Sequence, residues 1–422
     1  MADNANSIIA TGKNTSVKTG IITNIALPNQ GASITLQAGL GKDETLPNVQ
    51  GYIDQYVLAA GSGPTNLDSA KLAEYRINTA KSVTDFVQNK TGDNSIDDAQ
   101  ALAQFNLLDL EAKTIFANRH LSSELVAAAT TNVDERGYAA IAKLFPSKNV
   151  GDILMFKSKV ATNSNGNIDF IAPNGEIVVG TTGSASDGSA TSADIGVLTR
   201  NGGNIRMFAN GDIQVNNSKV ITQAGGDIVK YSDNGNIDAG KGSKTATSSP
   251  ETFVSTDADG NTTIEVIASS AGSGIRTDST DPDGPNGPNK QPKRGDVKLI
   301  TPRGFVDASE GGIAANNLFL RALTVLNADN IQVQGVASGT PLAAAASLGG
   351  VSVGLSPAAV NEATAAVAQS VAQSAAVQQT FLKPVLPSIV NVEVISIGDG
   401  SSDSGRNINK EEEELKKKKV KK

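Results

Sequence analysis

The chain of 422 residues has no cysteine, no tryptophan, one histidine and only 16 aromatic residues. Without cysteine there is no disulfide framework, no thiolate metal site and no cysteine nucleophile. With His120 alone, no multi-histidine metal site forms. No stretch approaches 18 uninterrupted apolar residues, so no helix is expected to span a membrane. A net charge of −7 argues against broad nucleic-acid binding, which needs a basic surface. The first residues, MADNANSIIATGKNTSV, lack the basic start and apolar run of a secretory signal. Few aromatics imply a thin core of small aliphatic side chains, unlike that of a compact α/β enzyme. What is abundant is turn-forming: 42 Gly, near 10% against the usual ~7%, and 36 Asn.

The glycines are periodic. Aligning residues 151–180 with 211–240 gives 13 identities in 30 positions without a gap, at a shift of sixty residues. The identities are mainly Gly, Ile, Ser218-Lys219-Val220 and Asn-Gly; a looser copy lies at 295–309 and a shorter one starts at Gly203. Within a copy the Gly turns are 15 and 9 residues apart, so one circuit takes about 24 residues. Short β-rich segments such as Ile168-Asp169-Phe170-Ile171 run between them. Period-2 segments divided by Gly/Asn turns at fixed spacing predict a β-solenoid, each coil stacked on the last. Glycine would supply positive φ at the corners, and neighbouring Asp or Asn would bond backbone there. Ile153/Ile177 and Ile213/Ile237 become candidate inward stacks, with Lys157 and Arg206 facing water. Residues 148–345 would then make roughly eight coils, on the order of 40 Å long at ~4.8 Å per coil.

The first ~60 residues share this texture in Ser7-Ile8-Ile9-Ala10, Ser16-Val17-Lys18 and the segment from Gly31 to Gly39. Between Asn66 and Pro146 glycine becomes scarce, and Val83, Phe86, Val87, Leu102, Phe105, Leu121 and Leu125 take helical spacing. Thr91-Gly92-Asp93-Asn94 reads as a helix break and Ser95-Ile96-Asp97-Asp98 as a capping box with Asp in place of Glu. A three-to-five-helix insertion in the solenoid is expected. Segments 181–193 and 278–294 read as loops. Ser356-Pro357 opens an expected Ala-rich helix of some 25 residues ending near Phe381, followed by one strand through Val390, Val392 and Val394. These elements are expected to cover the C-terminal end of the solenoid while the N-terminal end stays open. The resulting division is 1–61 N-terminal coils, 62–147 helical insertion, 148–345 main β-helix, 346–400 C-terminal cap and 401–422 a charged, solvated tail.

The succession GDILMF, GNIDFIAPNGEIVVG, GGNIRMFANGDIQVNNSKVITQAGGDIVKYSDNGNIDAG, DADGNTTIEV and GDVKLITPRGFVDA resembles the C-terminal region of filamentous-haemagglutinin-family exoproteins, large bacterial surface proteins of two-partner secretion. KTGDNSIDDAQALAQF, RGYAAIAKLFP and LPSIVNVEVISIGDG share the resemblance, which runs from about residue 25 to 400. It implies a mainly β, right-handed parallel β-helix at the cell surface or outer membrane, or secreted, with adhesion to a host-cell, matrix or neighbouring-cell surface as the usual role. Its implied partners include an upstream exoprotein portion and an outer-membrane secretion partner. The family's signal peptide and secretion module are not in this sequence, so the chain is expected to be the distal piece of a longer exoprotein or a separated reading frame.

No catalytic, cofactor-binding or metal-binding residue is assigned, and the chain is expected not to be an enzyme. Asp257-Ala258-Asp259-Gly260-Asn261 through Glu265 has acidic and amide groups at alternate positions. An EF-hand, however, needs Gly sixth and Glu twelfth, and here Gly is fourth and Glu ninth. A hairpin turn between Phe253-Val254 and Ile264-Val266 is expected instead. Asp152, Asp212, Asp227 and Asp296 follow Gly at repeat positions that Asn167, Asn204 and Asn236 also occupy; this suits turn capping, not catalysis. His120, beside Arg119 and Glu124, reads as a surface helical residue. Gly202-Gly203 and Gly225-Gly226 read as corners, since no helix start with Lys-Ser/Thr follows. The alternative function, a β-helix polysaccharide lyase or hydrolase, would need carboxylates converging in one groove.

Overall fold

The computed structural model describes residues 8–10, 15–19, 32–39, 47–162, 165–181, 195–200, 202–242, 251–256, 262–267, 272–279 and 291–340. Over these residues the chain is a parallel β-helix carrying a helical module. Each coil supplies three strands, seen first in Ile153–Met155, Ser158–Thr162 and Ile168–Ala172. The next coil repeats them as Ile177–Val179, Gly196–Thr199 and Ile205–Ala209, all parallel and in register with the first set.

The expected inward stacks exist, as one continuous ladder. Ile153 pairs with Ile177, Ile177 with Ile213, Ile213 with Ile237 and Ile237 with Val306. All five are fully buried. A second ladder runs Ile34, Ile168, Ile205, Ile228, Val297, Leu318, and a third Val160, Val197, Val220, Ile275, Ile313. Each buried aliphatic side chain contributes roughly 1.5–3 kcal/mol, which explains why Ile and Val suffice in a core too narrow for many rings.

The coil from Ile153 to Ile177 takes 24 residues, and so does the one from Ile213 to Ile237. The coil from Ile177 to Ile213 takes 36, the additional residues lying between its first and second strands. The sixty-residue repeat is therefore two coils. Longer insertions in the coil from Ile237 to Val306, among them the antiparallel hairpin Glu251–Thr256/Thr262–Ile267, lengthen the chain without adding rise. Six coils thus start between Ile153 and Val325, not eight, for a rod of ~30 Å at ~4.8 Å per coil. Ile34–Gln37 belongs to a preceding coil stacked on Ile168–Ala172.

Two side-chain ladders hold the corners. Asn167 Oδ1 accepts the Asn204 N–H, Asn204 Oδ1 the Asp227 N–H, Asp227 Oδ1 the Asp296 N–H and Asp296 Oδ1 the Asn317 N–H, at 2.7–3.0 Å. At the other corner Asp152 accepts from Glu176, Asp212 from Asn236 and Asn236 from Phe305. Each acceptor in these ladders is a short side chain ending in an oxygen, which Asp and Asn supply equally. Asp227→Asn is therefore expected to change stability by less than about 0.5 kcal/mol, while Asp227→Ala costs about 1–2 kcal/mol by stranding an amide. Paired urea titrations check this, and equal losses in both variants would contradict it. Gly202-Gly203 and Gly225-Gly226 are corners as expected. Gly226 has φ of +91°, and a Cβ there would lie 2.0 Å from the Gly203 carbonyl oxygen.

The module occupies the place of one turn. In later coils the third strand passes to the next first strand through a short turn, such as 173–176; between Ile34–Gln37 and Ile153 the helices intervene. They are α1 (Val49–Tyr52), running into a π-helical turn at Ile53–Val57, then α2 (Ser69–Thr91), α3 (Asp98–Leu107), α4 (Leu110–Thr130) and α5 (Asp134–Leu144). Helical structure thus begins at Val49, upstream of 62, where Val49, Tyr52, Ile53, Tyr56 and Val57 stand at helical spacing and are buried. Gly92 ends α2 in the left-handed conformation, as the expected break requires. The capping box sits two residues later than expected, with Asp97 and Gln100 capping each other; the Ser95 hydroxyl bonds the Asp93 carboxylate instead.

The helices lie over the third-strand face. There the fourth residue of each strand points outward, giving the row Ile171, Phe208, Tyr231, Ile300, which packs with Phe116, Leu121, Leu125 and Leu144. Arg206 also points outward, yet not into open water: it and Arg119 of α4 both hold the Asp169 carboxylate at 3.1 Å. Arg321 bonds Asp134 of α5 at 2.6 Å, and the Arg303 guanidinium lies 3.9 Å from the Tyr138 ring centroid. One side chain on the inward row breaks the pattern. Lys230 stands in register between Met207 and Leu299, with no exposure and no hydrogen-bond partner for Nζ.

The expected Ala-rich helix, final strand and Glu/Lys tail lie outside the described residues, as do most of the 181–193 loop and part of 278–294.

Candidate functional site

The polar side chains of the module converge where α1, α2, α4 and α5 meet. Helical spacing does the placing. Tyr52 and Tyr56 are four apart and stack with centroids at 4.7 Å; Tyr75 and Thr79 share one face of α2, and His120 and Glu124 one face of α4. Arg136 enters from the first turn of α5 and forms a bidentate, buried ion pair with Glu124, Nη2 to Oε2 at 2.7 Å.

His120 is buried, contrary to the surface position expected. Leu121 and Leu125 face the sheet, but α4 is covered on its other side by α2 and the Tyr52 turn, so the polar side of the helix is interior too. Tyr52 Oη lies 3.0 Å from Nδ1, while Thr79 Oγ1 and Tyr75 Oη lie 3.4 and 3.5 Å from Nε2. Tyr75 donates its proton to the Tyr56 carbonyl at 2.9 Å. Tyr52 then donates to Nδ1, and Nε2–H points at Thr79 and Tyr75. Burial, with the Arg136 charge second, lowers His120 to about 4, so the ring is neutral at physiological pH. Burial, followed by the Glu124 carboxylate, pushes Tyr56 up to about 12 and Tyr75 further, keeping both phenols protonated. A group titrating near 4 is a weak general base at neutral pH. The arrangement is suited to holding and binding, with its charges paired internally.

Above this floor opens a cleft of about 560 Å³, within the roughly 300–1,000 Å³ of small-molecule sites. Tyr75, Thr79, His120, Glu124 and Arg136 line its base, and Asn66, Asn78, Ser82, Ser123 and Thr131 its rim. None of these rim residues carried a sequence signal: Asn78, Ser82 and Ser123 lie on polar helix faces, Asn66 precedes α2 and Thr131 ends α4.

The repeat residues Asp152, Asp212, Asp227 and Asp296 stand at the two corners described above, apart from this cleft. Glu176 lies near Asp152 and Asp212, and its carboxyl is raised by burial first and by those two carboxylates second. Among the described residues no group of three or more acids and histidine could hold a metal ion. The Asp257–Asn261 turn lies outside the described residues; the strands expected on either side of it pair antiparallel, Val254 opposite Ile264. No helix among the described residues is long and apolar enough to cross a membrane.

Residues 225–342 match the family described as filamentous haemagglutinin family outer membrane protein. The resemblance stated from the repeat motifs is borne out over this stretch. The matched stretch holds the C-terminal ends of the inward ladders, Lys230 and the docking residues Tyr231, Ile300 and Arg321, but not the module with its cleft. No curated protein and no solved structure matches the chain.

Proposed function

We propose that this chain is a structural and adhesive segment of a secreted or surface-exposed exoprotein, without catalysis. The observation that carries this reading is the use of the repeat acids and amides. Each accepts a main-chain N–H from the next coil, so the side chains that would have to converge for glycan cleavage instead join coil to coil. The rod then serves as a stalk, and the module docked on its third-strand face serves as the display element. The division into N-terminal coils, helical block, main β-helix, C-terminal cap and charged tail belongs to the same reading, with the helical block opening at Val49. So do two-partner export and an outer-membrane secretion partner.

Purified chain applied to cultured cells and extracellular matrix is expected to bind in a saturable manner above an inert β-helix control. Binding no greater than the control would remove the adhesive part. Incubation with acidic polysaccharides is expected to give no unsaturated products; their appearance would favour the lyase alternative.

A further inference from the structure

The cleft over the His120 floor has a composition that selects among ligands. Its base offers no unpaired charge: Glu124 and Arg136 neutralise each other, and His120 is neutral. Its rim carries Lys71, tied to Asp68 at 3.3 Å, and Glu74, whose carboxylate repels anions. A phosphate, sulfate or carboxylate therefore meets no free cation at the base. Leu67, Ala127 and Val133 are too few to hold an aliphatic chain.

What the cleft does present is hydroxyl and amide groups around one aromatic ring. Ser82 and Ser123 donate their protons to the carbonyls of Asn78 and Arg119, leaving acceptor lone pairs. The side-chain amides of Asn66 and Asn78 both donate and accept. Tyr75 lines the cleft with the Arg136 guanidinium 5.7 Å from its ring centroid. A saccharide is the ligand whose groups answer these, because each hydroxyl donates and accepts while its C–H faces pack on an aromatic ring.

We propose that the cleft between α2, α4 and α5 binds an uncharged saccharide unit, a reading that rests on the adhesive role and supplies its ligand class. Ala127, half-buried on α4, lines the cleft, so Ala127→Trp places an indole in it. Asn78 is exposed on α2, and Asn78→Ala removes one donor–acceptor group.

The test is saturation-transfer NMR on the full chain with methyl hexopyranosides and neutral di- and trisaccharides, against glucuronate and inorganic sulfate. Saturable binding of at least one neutral saccharide is expected. Ala127→Trp should weaken it by more than tenfold, and Asn78→Ala by about fivefold, the effect of one lost hydrogen bond. Circular dichroism and Tm confirm that each variant folds. Binding of the anions alone, binding undiminished in Ala127→Trp, or no saturable binding would overturn the proposal. Cell binding measured on the same preparation separates the two readings: if it persists without saccharide binding, the ligand class fails and the adhesive role stands.

Discussion

Lys230→Met is expected to stabilise the β-helix by on the order of 4 kcal/mol at pH 7 and to abolish most of its pH dependence between 7 and 10. The side chain fills an inward position between Met207 and Leu299, where Met has similar length and volume and no charge. Burial lowers the lysine from 10.5 to about 7, against a smaller opposing effect of Asp238. The folded pKa lies below the unfolded one. Between about 7 and 10.5 the unfolded chain therefore holds a proton that the native chain lacks, and wild-type stability rises with pH across that window, by up to about 1.4 kcal/mol per unit. Below 7 both states are protonated and the full penalty applies. Guanidinium titrations at pH 6, 7, 8, 9 and 10 test this. The expected result is a higher midpoint for the variant, with the gap closing toward pH 10. A lower midpoint at pH 7, or parallel pH profiles, would show that the ammonium is accommodated.

Arg136→Met is expected to destabilise the helical module by roughly 3–5 kcal/mol, because it leaves the Glu124 carboxylate buried without its cation. The double variant Glu124→Gln/Arg136→Met should recover most of that loss, since the desolvated charge is gone with its partner. The two effects differ in location as well as size. Hydrogen exchange should quicken in peptides from 69–144 in the single variant and stay slow in the strands of 205–240, whose ladders do not involve Arg136. Uniform quickening along the chain would mean that rod and module unfold as one unit. A double variant no better than the single would mean that Arg136 acts through packing on Tyr75 instead.

The rod was legible because its repeat is local. Gly at the corners, Asp or Asn beside it and Ile two positions further each answer to a neighbour one coil away, and a coil recurs every 24 residues where nothing is inserted. Residue spacing alone therefore paired Ile153 with Ile177 and Ile213 with Ile237, and the structure joins the two pairs into one ladder through Ile177 and Ile213. The coil count was less accessible, since insertions between Ile177 and Ile213 and between Ile237 and Val306 consume chain without adding height. The docking face had left a signal. Phe208 and Tyr231 are large rings at outward positions of strands whose inward positions were already apolar, and a face with such a row requires a cover.

The cleft was not legible. His120, Tyr52, Tyr75, Thr79 and Arg136 stand on four separate segments, and each by itself is an ordinary polar residue near the edge of an apolar stripe. Only packing of α4 between the sheet and α2 makes His120 interior, and only the approach of α5 gives Glu124 its partner. The sequence by itself determined the coil, its corners and its aliphatic ladders, since these are contacts between equivalent positions at a fixed interval. Tertiary structure alone decided where the helices dock, which polar groups lose water, and that Lys230 stands on an inward ladder. Burial of a charge depends on everything packed around it, and no periodicity encodes that.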